Sequence, residues 1–172
     1  MKTFLFDIGN VLCNFNEKIL LHNYENISGK KIDIYSDEDQ RMYNSVESGE
    51  ISDQEYVDMV NKSKNINWKV KDLISAWENI FSENIYGKRL FYHALHEKTI
   101  VYTLSNIADY HVEAIKSNWP TLLEQASGLF LSYQLGVRKP NPKIYSLVIE
   151  KLGVQPEECF FIDDMEENIL AA

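Results

Sequence analysis

Three short apolar stretches in this chain each stop at acidic, hydroxyl or amide residues. Thr3–Phe6 runs into Asp7, with Gly9 and Asn10 just beyond; residues 99–104 run into Ser105-Asn106; Cys159–Ile162 runs into Asp163-Asp164. A basic residue, Lys139, stands shortly before Asn141-Pro142. In an open parallel sheet, ligands bind beyond the carboxyl ends of the strands. One aspartate after a strand ordinarily caps a turn or a helix. Three carboxylates gathered at one sheet edge would repel each other and require a cation among them. A hard cation that takes oxygen ligands and leaves positions open for phosphate is Mg²⁺.

The elements that must bring these residues together follow from the apolar pattern. The three stretches are continuous rather than alternating and are spaced by helix-period sequence. That pattern indicates an α/β fold: a Rossmann-like parallel sheet with helices on both faces. A short strand is expected at residues 129–131. Helices are expected at residues 86–96, around residues 110–117, and from Asn141 as cap and Pro142 as first-turn residue to Gly153 as stop. The last of these turns Ile144, Tyr145, Val148 and Leu152 inward, and another helix starts near Met165. From about Glu17 to Phe81 the texture is polar and helix-periodic. Ser52 with Glu55 reads as a capping box, and Leu73, Trp77, Ile80 and Phe81 recur at helical spacing. The expected division is therefore a core of residues 1–15 and 82–172 with a helical insertion at residues 16–81. A sheet of this kind ordinarily has a further strand, expected after Ala172.

Composition narrows the class. The 172 residues are 45% apolar and 25% charged, with a net charge of −9. No Lys/Arg-rich run would neutralise a nucleic-acid backbone or a membrane surface, so neither partner is expected. The two cysteines, Cys13 and Cys159, have no metal-type spacing, and no apolar run approaches membrane-spanning length. A cytoplasmic protein, monomeric or homodimeric, is expected.

Four ordered stretches carry a family resemblance. Asp7-Ile8-Gly9-Asn10-Val11-Leu12, Leu104-Ser105-Asn106, Gly136-Val137-Arg138-Lys139-Pro140 and Phe161-Ile162-Asp163-Asp164 resemble the motifs of the haloacid dehalogenase (HAD) superfamily. Glu47-Ser48-Gly49-Glu50-Ile51-Ser52 and Leu131-Ser132-Tyr133-Gln134-Leu135-Gly136 resemble its bacterial α-D-glucose-1-phosphate phosphatase branch. The resemblance implies a Mg²⁺-dependent phosphatase acting on a small phosphorylated metabolite, a sugar phosphate in particular. Asp7 would be the nucleophile, forming an aspartyl-phosphate that water cleaves. Asp7, the Gly9 carbonyl and Asp164 would hold Mg²⁺, with Asp163 behind them. Lys139 would balance charge between nucleophile and phosphate, and Ser105 with the Asn106 amide would hold phosphate oxygens. Residues 16–81 would form a C1-type cap closing over the site.

One position departs from the commoner pattern. Most phosphatases of the superfamily carry a second aspartate two residues after the nucleophile as general acid and base; here Gly9 stands there. Two other readings therefore remain: a dehalogenase-type hydrolase, whose halide leaves unprotonated, and a catalytically weak phosphate-binding regulatory protein. The four histidines lie outside the motifs and receive no role.

Overall fold

A computed structural model describes residues 2–97, 99–119, 121 and 123–172. Four strands form a parallel sheet: β1 (Thr3–Phe6), β4 (Ile100–Ser105), β5 (Gly128–Leu131) and β6 (Cys159–Ile162), in the order β5-β4-β1-β6. The chain first adds strands on one side of β1, then crosses to the other side for β6. The carboxyl ends of β4, β1 and β6 consequently lie side by side, at the place where open α/β sheets bind ligands.

Why these strands read as unbroken apolar runs is visible in what each side chain meets. Phe4 and Phe6 pack toward Phe91 and Ala94 of α5 (Ile85–His96). Leu5, between them, packs on the opposite face against Ile144 and Val148 of α8 (Pro142–Leu152). Alternating side chains thus both need apolar partners, as in any sheet covered twice. The expected caps of α8 are present. Asn141 accepts from the Lys143 amide at 3.0 Å, Pro142 opens the helix, and Gly153 takes the left-handed conformation (φ 65°) that closes it.

Between β1 and α5 the chain forms α1 (Glu17–Ser28), α2 (Asp37–Glu47), α3 (Asp53–Lys64) and α4 (Val70–Glu78). The Ser52–Glu55 capping box forms as expected, and a second one, Ser36–Asp39, opens α2. One expectation fails. Phe81 does not continue α4; it sits in β3 (Phe81–Glu83), which pairs antiparallel with β2 (Cys13–Phe15), Phe81 opposite Phe15. The 73-77-80-81 spacing suits a helix, but ladder hydrogen bonds to β2 outweigh that local preference. A two-stranded ribbon therefore forms the base of the insertion.

The insertion has no separate core. Leu20, Met42, Val57 and Trp77, one from each of its helices, share an apolar cluster with Ala108, Tyr110 and Ala114. The last two belong to α6 (Asp109–Asn118), the helix that follows β4. Two further α-helices are the short α7 (Ser132–Leu135) and α9 (Glu166–Ala171). Among the described residues, no helix is long and apolar enough to cross a membrane.

Candidate active site

Asp7 directly follows β1, and its amide donates to the Ile162 carbonyl at 2.8 Å, tying the ends of β1 and β6 together. The chain then turns tightly: the Ile8 carbonyl accepts from both the Leu12 and Cys13 amides, and Asn10 takes a left-handed φ of 54°. That turn lets Asn10 Nδ2 donate to Asp164 Oδ2 at 3.1 Å. Asn10 thus holds one candidate metal ligand, a role its place beside Gly9 did not disclose.

Lys139 lies at the centre. Its side chain is 1% exposed, and Nζ donates to the Leu104 carbonyl at 2.9 Å, stands 3.0 Å from Asp7 Oδ1, and pairs with Asp163 Oδ2. Asn106 holds the Lys139 backbone from both sides: Nδ2 donates to its carbonyl at 2.8 Å, and Oδ1 accepts from its amide at 2.7 Å. The side chain of Asn106 is therefore committed to the Lys139 loop. Asp163 is similarly occupied: Oδ1 accepts from the Met165 amide at 2.8 Å and from Asn168 Nδ2 at 2.9 Å, at the entry to α9. Both Asp163 oxygens are thereby engaged, and Asn168 is a side-chain partner of Asp163.

Oxygens of Asp7, Asp163 and Asp164 lie within 4.8 Å of one another. Burial pushes the Asp7 carboxyl above its ordinary value; Lys139 pulls it down, Asp163 pushes it up again, and a Ser105 hydrogen bond lowers it. Three crowded carboxylates and one ammonium leave negative charge uncompensated. The oxygen-only donor set fits a hard divalent cation. Both Asp163 oxygens are engaged, whereas Asp7 Oδ1 lacks a hydrogen-bond partner among the described residues and Asp164 has one oxygen bonded to Asn10.

These residues open onto a cavity of about 500 Å³. Asp7, Gly9, Ser105, Asn106, Lys139 and Asp164 all line it, so the structure brings the sequence-predicted set together. The opposite wall comes from the insertion and its neighbours, and sequence reasoning gave these residues no role. Glu47, at the end of α2, is 4% exposed and receives both Nε and an Nη of Arg138 at 2.8 Å on one oxygen. Burial pushes its carboxyl up, with Arg138 pulling it down. The Glu47 carbonyl also accepts from Ser132 Oγ at 2.6 Å, and that oxygen accepts from the Ile107 amide at 2.8 Å. Close by, Gly49 (φ 70°) leaves no room for a side chain, since a Cβ there would stand 2.1 Å from the Tyr133 carbonyl oxygen. The stretches beginning at Glu47 and at Leu131 are therefore two sides of one contact.

His111 completes this wall. Its Nδ1 accepts from the Ala108 amide at 3.0 Å, so the proton sits on Nε2, 3.4 Å from the Tyr43 hydroxyl. Burial pushes the imidazole down to about 3, which keeps it neutral. The only sequence signal for it was its place at N3 of the helix after Ser105-Asn106, where a histidine can bond back to the cap residue.

Known proteins resemble this chain over almost its whole length. A D-ribitol-5-phosphate phosphatase from Bacteroides thetaiotaomicron is 25% identical over 176 residues, covering 98% of this chain and 85% of that protein. A HAD family enzyme from the same organism, crystallised with magnesium and inorganic phosphate, superposes with a TM-score of 0.82 at 28% identity, covering 99% of this chain and 88% of that one. A HAD-like hydrolase structure from Porphyromonas gingivalis, at 22% identity and a TM-score of 0.81 over 99% of this chain and 85% of its own, shares the fold. The model of the haloacid dehalogenase-like hydrolases matches residues 1–172. With its motif residues gathered at the carboxyl ends of β1, β4 and β6, the chain belongs to the haloacid dehalogenase-like hydrolase family.

Proposed function

We propose that this protein is a Mg²⁺-dependent phosphatase that hydrolyses a small phosphate monoester of a sugar or polyol through an aspartyl-phosphate. The observation that carries the reading is the placement of the Asp7 carboxylate between Lys139 Nζ and Asp164 at the mouth of a 500 Å³ cavity. A carboxylate oxygen of Asp7 attacks phosphorus and forms an oxygen–phosphorus bond as the bond to the alcohol oxygen breaks, and the departing alkoxide takes its proton from water. Water then cleaves the acyl-phosphate and regenerates the carboxylate. Lys139 keeps Asp7 ionised and oriented, while the Ser105 hydroxyl and the Asn106 amide take phosphate oxygens. Asp7, the Gly9 carbonyl and Asp164 would hold Mg²⁺, which supplies Lewis-acid neutralisation of phosphate charge when bound. Residues 16–81 serve as the cap that excludes bulk water and reads the alcohol.

Two considerations bear on the alcohol. The relative named for D-ribitol 5-phosphate supports an open-chain polyol ester. The glycine at position 9 favours an ester whose alcohol leaves with little protonation, such as an anomeric phosphate. The free thiols of Cys13 and Cys159 suit a reducing cytoplasm.

A screen of phosphorylated sugars and polyols, run with Mg²⁺, with Ca²⁺ and with excess chelator, tests the reading. Turnover should require Mg²⁺, and Ca²⁺ should restore it poorly because its larger coordination shell misplaces the attacking carboxylate. Full activity in chelator, or halide release from 2-haloacids without metal, would replace it with the dehalogenase reading. Phosphate binding without turnover would make the protein a regulatory binder.

A further inference from the structure

The insertion encloses a second cavity, of about 220 Å³, among its own helices. Its lining is aromatic: Phe15, Tyr24, Tyr43, Tyr56, Trp68 and Trp77. Phe15, Gln40, Tyr43 and Trp77 line this cavity and the Asp7 cavity alike, so the two share a wall. The volume exceeds the ~150 Å³ that holds a benzene ring in a protein interior.

Two details specify what would fit. Charged groups in the lining have partners: Lys64 pairs with Asp39 at 2.7 Å, and Glu17 accepts from the Tyr35 hydroxyl at 3.0 Å. A guest therefore needs no charge of its own at this end. Trp68, 6% exposed, has an indole N–H that is buried and lacks a hydrogen-bond partner among the described residues. The other tryptophan of the lining is satisfied, Trp77 Nε1 donating to the Tyr24 hydroxyl at 3.0 Å. An indole N–H is only a donor and ordinarily finds an acceptor when buried.

We propose that this cavity receives the uncharged body of the substrate alcohol, a flat or apolar group bearing one acceptor oxygen that meets the Trp68 indole. The phosphate lies over Asp7, and the body passes between Phe15, Tyr43 and Trp77 into the insertion. The inference rests on the phosphatase reading but departs from its sugar or polyol alcohol, favouring esters of ring-bearing, largely apolar alcohols over open-chain polyols.

The test uses primary esters of similar leaving-group acidity: ethyl, 2-phenylethyl and 2-(4-methoxyphenyl)ethyl phosphate, with D-ribitol 5-phosphate as the polyol arm. In the full chain with Mg²⁺, kcat/KM should rise about tenfold or more from ethyl to 2-phenylethyl, since a filled apolar pocket discriminates on that scale. The methoxy oxygen should add a few-fold. Val60→Phe, which fills the cavity from α3, should bring the phenylethyl-to-ethyl ratio to about one. Trp68→Phe should remove only the methoxy increment, and it decides the matter if Val60→Phe does not fold. Free 2-phenylethanol should inhibit phenylethyl phosphate competitively. A ratio near one in the unmodified protein, a ratio untouched by Val60→Phe, or a preference for ribitol 5-phosphate overturns the proposal. Activation by 2-phenylethanol overturns it too, making the cavity an effector site. Turnover without selectivity defeats this proposal alone; no turnover of any ester, p-nitrophenyl phosphate included, defeats the phosphatase reading and this one with it.

Discussion

The carboxyl edge of the sheet and the helical insertion are held together by opposite means. At the edge, Lys139, Asp163 and Asn106 are fixed by directed bonds, and Asp7 stands 3.0 Å from the Lys139 ammonium. In the insertion, position is set by ring packing: Trp77 alone lies within 4.1–6.5 Å, centroid to centroid, of Phe15, Phe81, Tyr110 and His111. Directed bonds fix a reacting atom closely at the cost of buried charge, whereas ring packing gives a stable wall whose shape can vary. The division suits a hydrolase that must attack one kind of bond while accepting a particular alcohol.

The largest test of that contrast is Asp7→Asn. Activity should fall about 10³-fold or more, because an amide cannot form the acyl-phosphate, while the melting temperature should stay close to that of the parent. A variant that keeps activity and metal dependence would remove Asp7 from the chemistry. Trp77→Ala should do the reverse. It should cost about 3–5 kcal/mol of stability, read by urea denaturation, and unfolding should stay a single transition because the insertion shares its core with α6. Two separated transitions would show that the insertion folds independently.

Gly9→Asp probes the boundary between the regions. A Cβ at position 9 would meet only Phe15 Cε1, at 4.0 Å, so a side chain fits. A carboxyl there should raise kcat about tenfold on primary alkyl esters and little on aryl phosphate, measured at saturating substrate after Mg²⁺ binding is verified. Equal changes on both would mean that protonation of the alcohol is supplied elsewhere.

Asp53→Asn gives the smallest effect, at the seam between α3 and α6. Burial and the neighbouring Asp109 push the Asp53 carboxyl up to about 6, against the pull of the Tyr110 amide. A raised carboxyl favours the folded state while protonated, so that stability is full below about pH 4 and lost as pH rises through 6. The amide should therefore stabilise the protein at pH 8 by about 1 kcal/mol, discounted for its half-exposed position, and do almost nothing at pH 4. Equal stabilisation at both values would exclude ionisation as the cause.

The two regions also differed in what their residues disclosed. Asp7, Ser105 and Asp163-Asp164 were legible because each is local: an apolar run, a stop, then a polar group. Strand boundaries moved by only a residue or so, as with β4 and β5. Phe81 was misplaced because helical spacing is also local, and its pairing with Phe15 is not. Glu47 and Arg138, 91 positions apart, show no pattern that joins them until the fold does. Neither Asn106 holding the Lys139 backbone nor His111 facing Tyr43 follows from residue type, since both depend on where two loops happen to pass.

Lys139 has a consequence of its own. Its ammonium donates to the Leu104 carbonyl on β4 and to Asp163 after β6 and stands 3.0 Å from Asp7 Oδ1 after β1, so it touches the ends of three neighbouring strands. A lysine engaged this way resembles a coordination centre more than a mobile arm, and its ammonium protons should exchange with water far more slowly than those of the surface lysines. Such protons give nitrogen-15 NMR signals at neutral pH, where exposed lysine ammonium signals vanish. The folded protein should also shield this amine from reductive methylation. A single resonance would then report, without substrate and without turnover, whether the three strand ends are still in register.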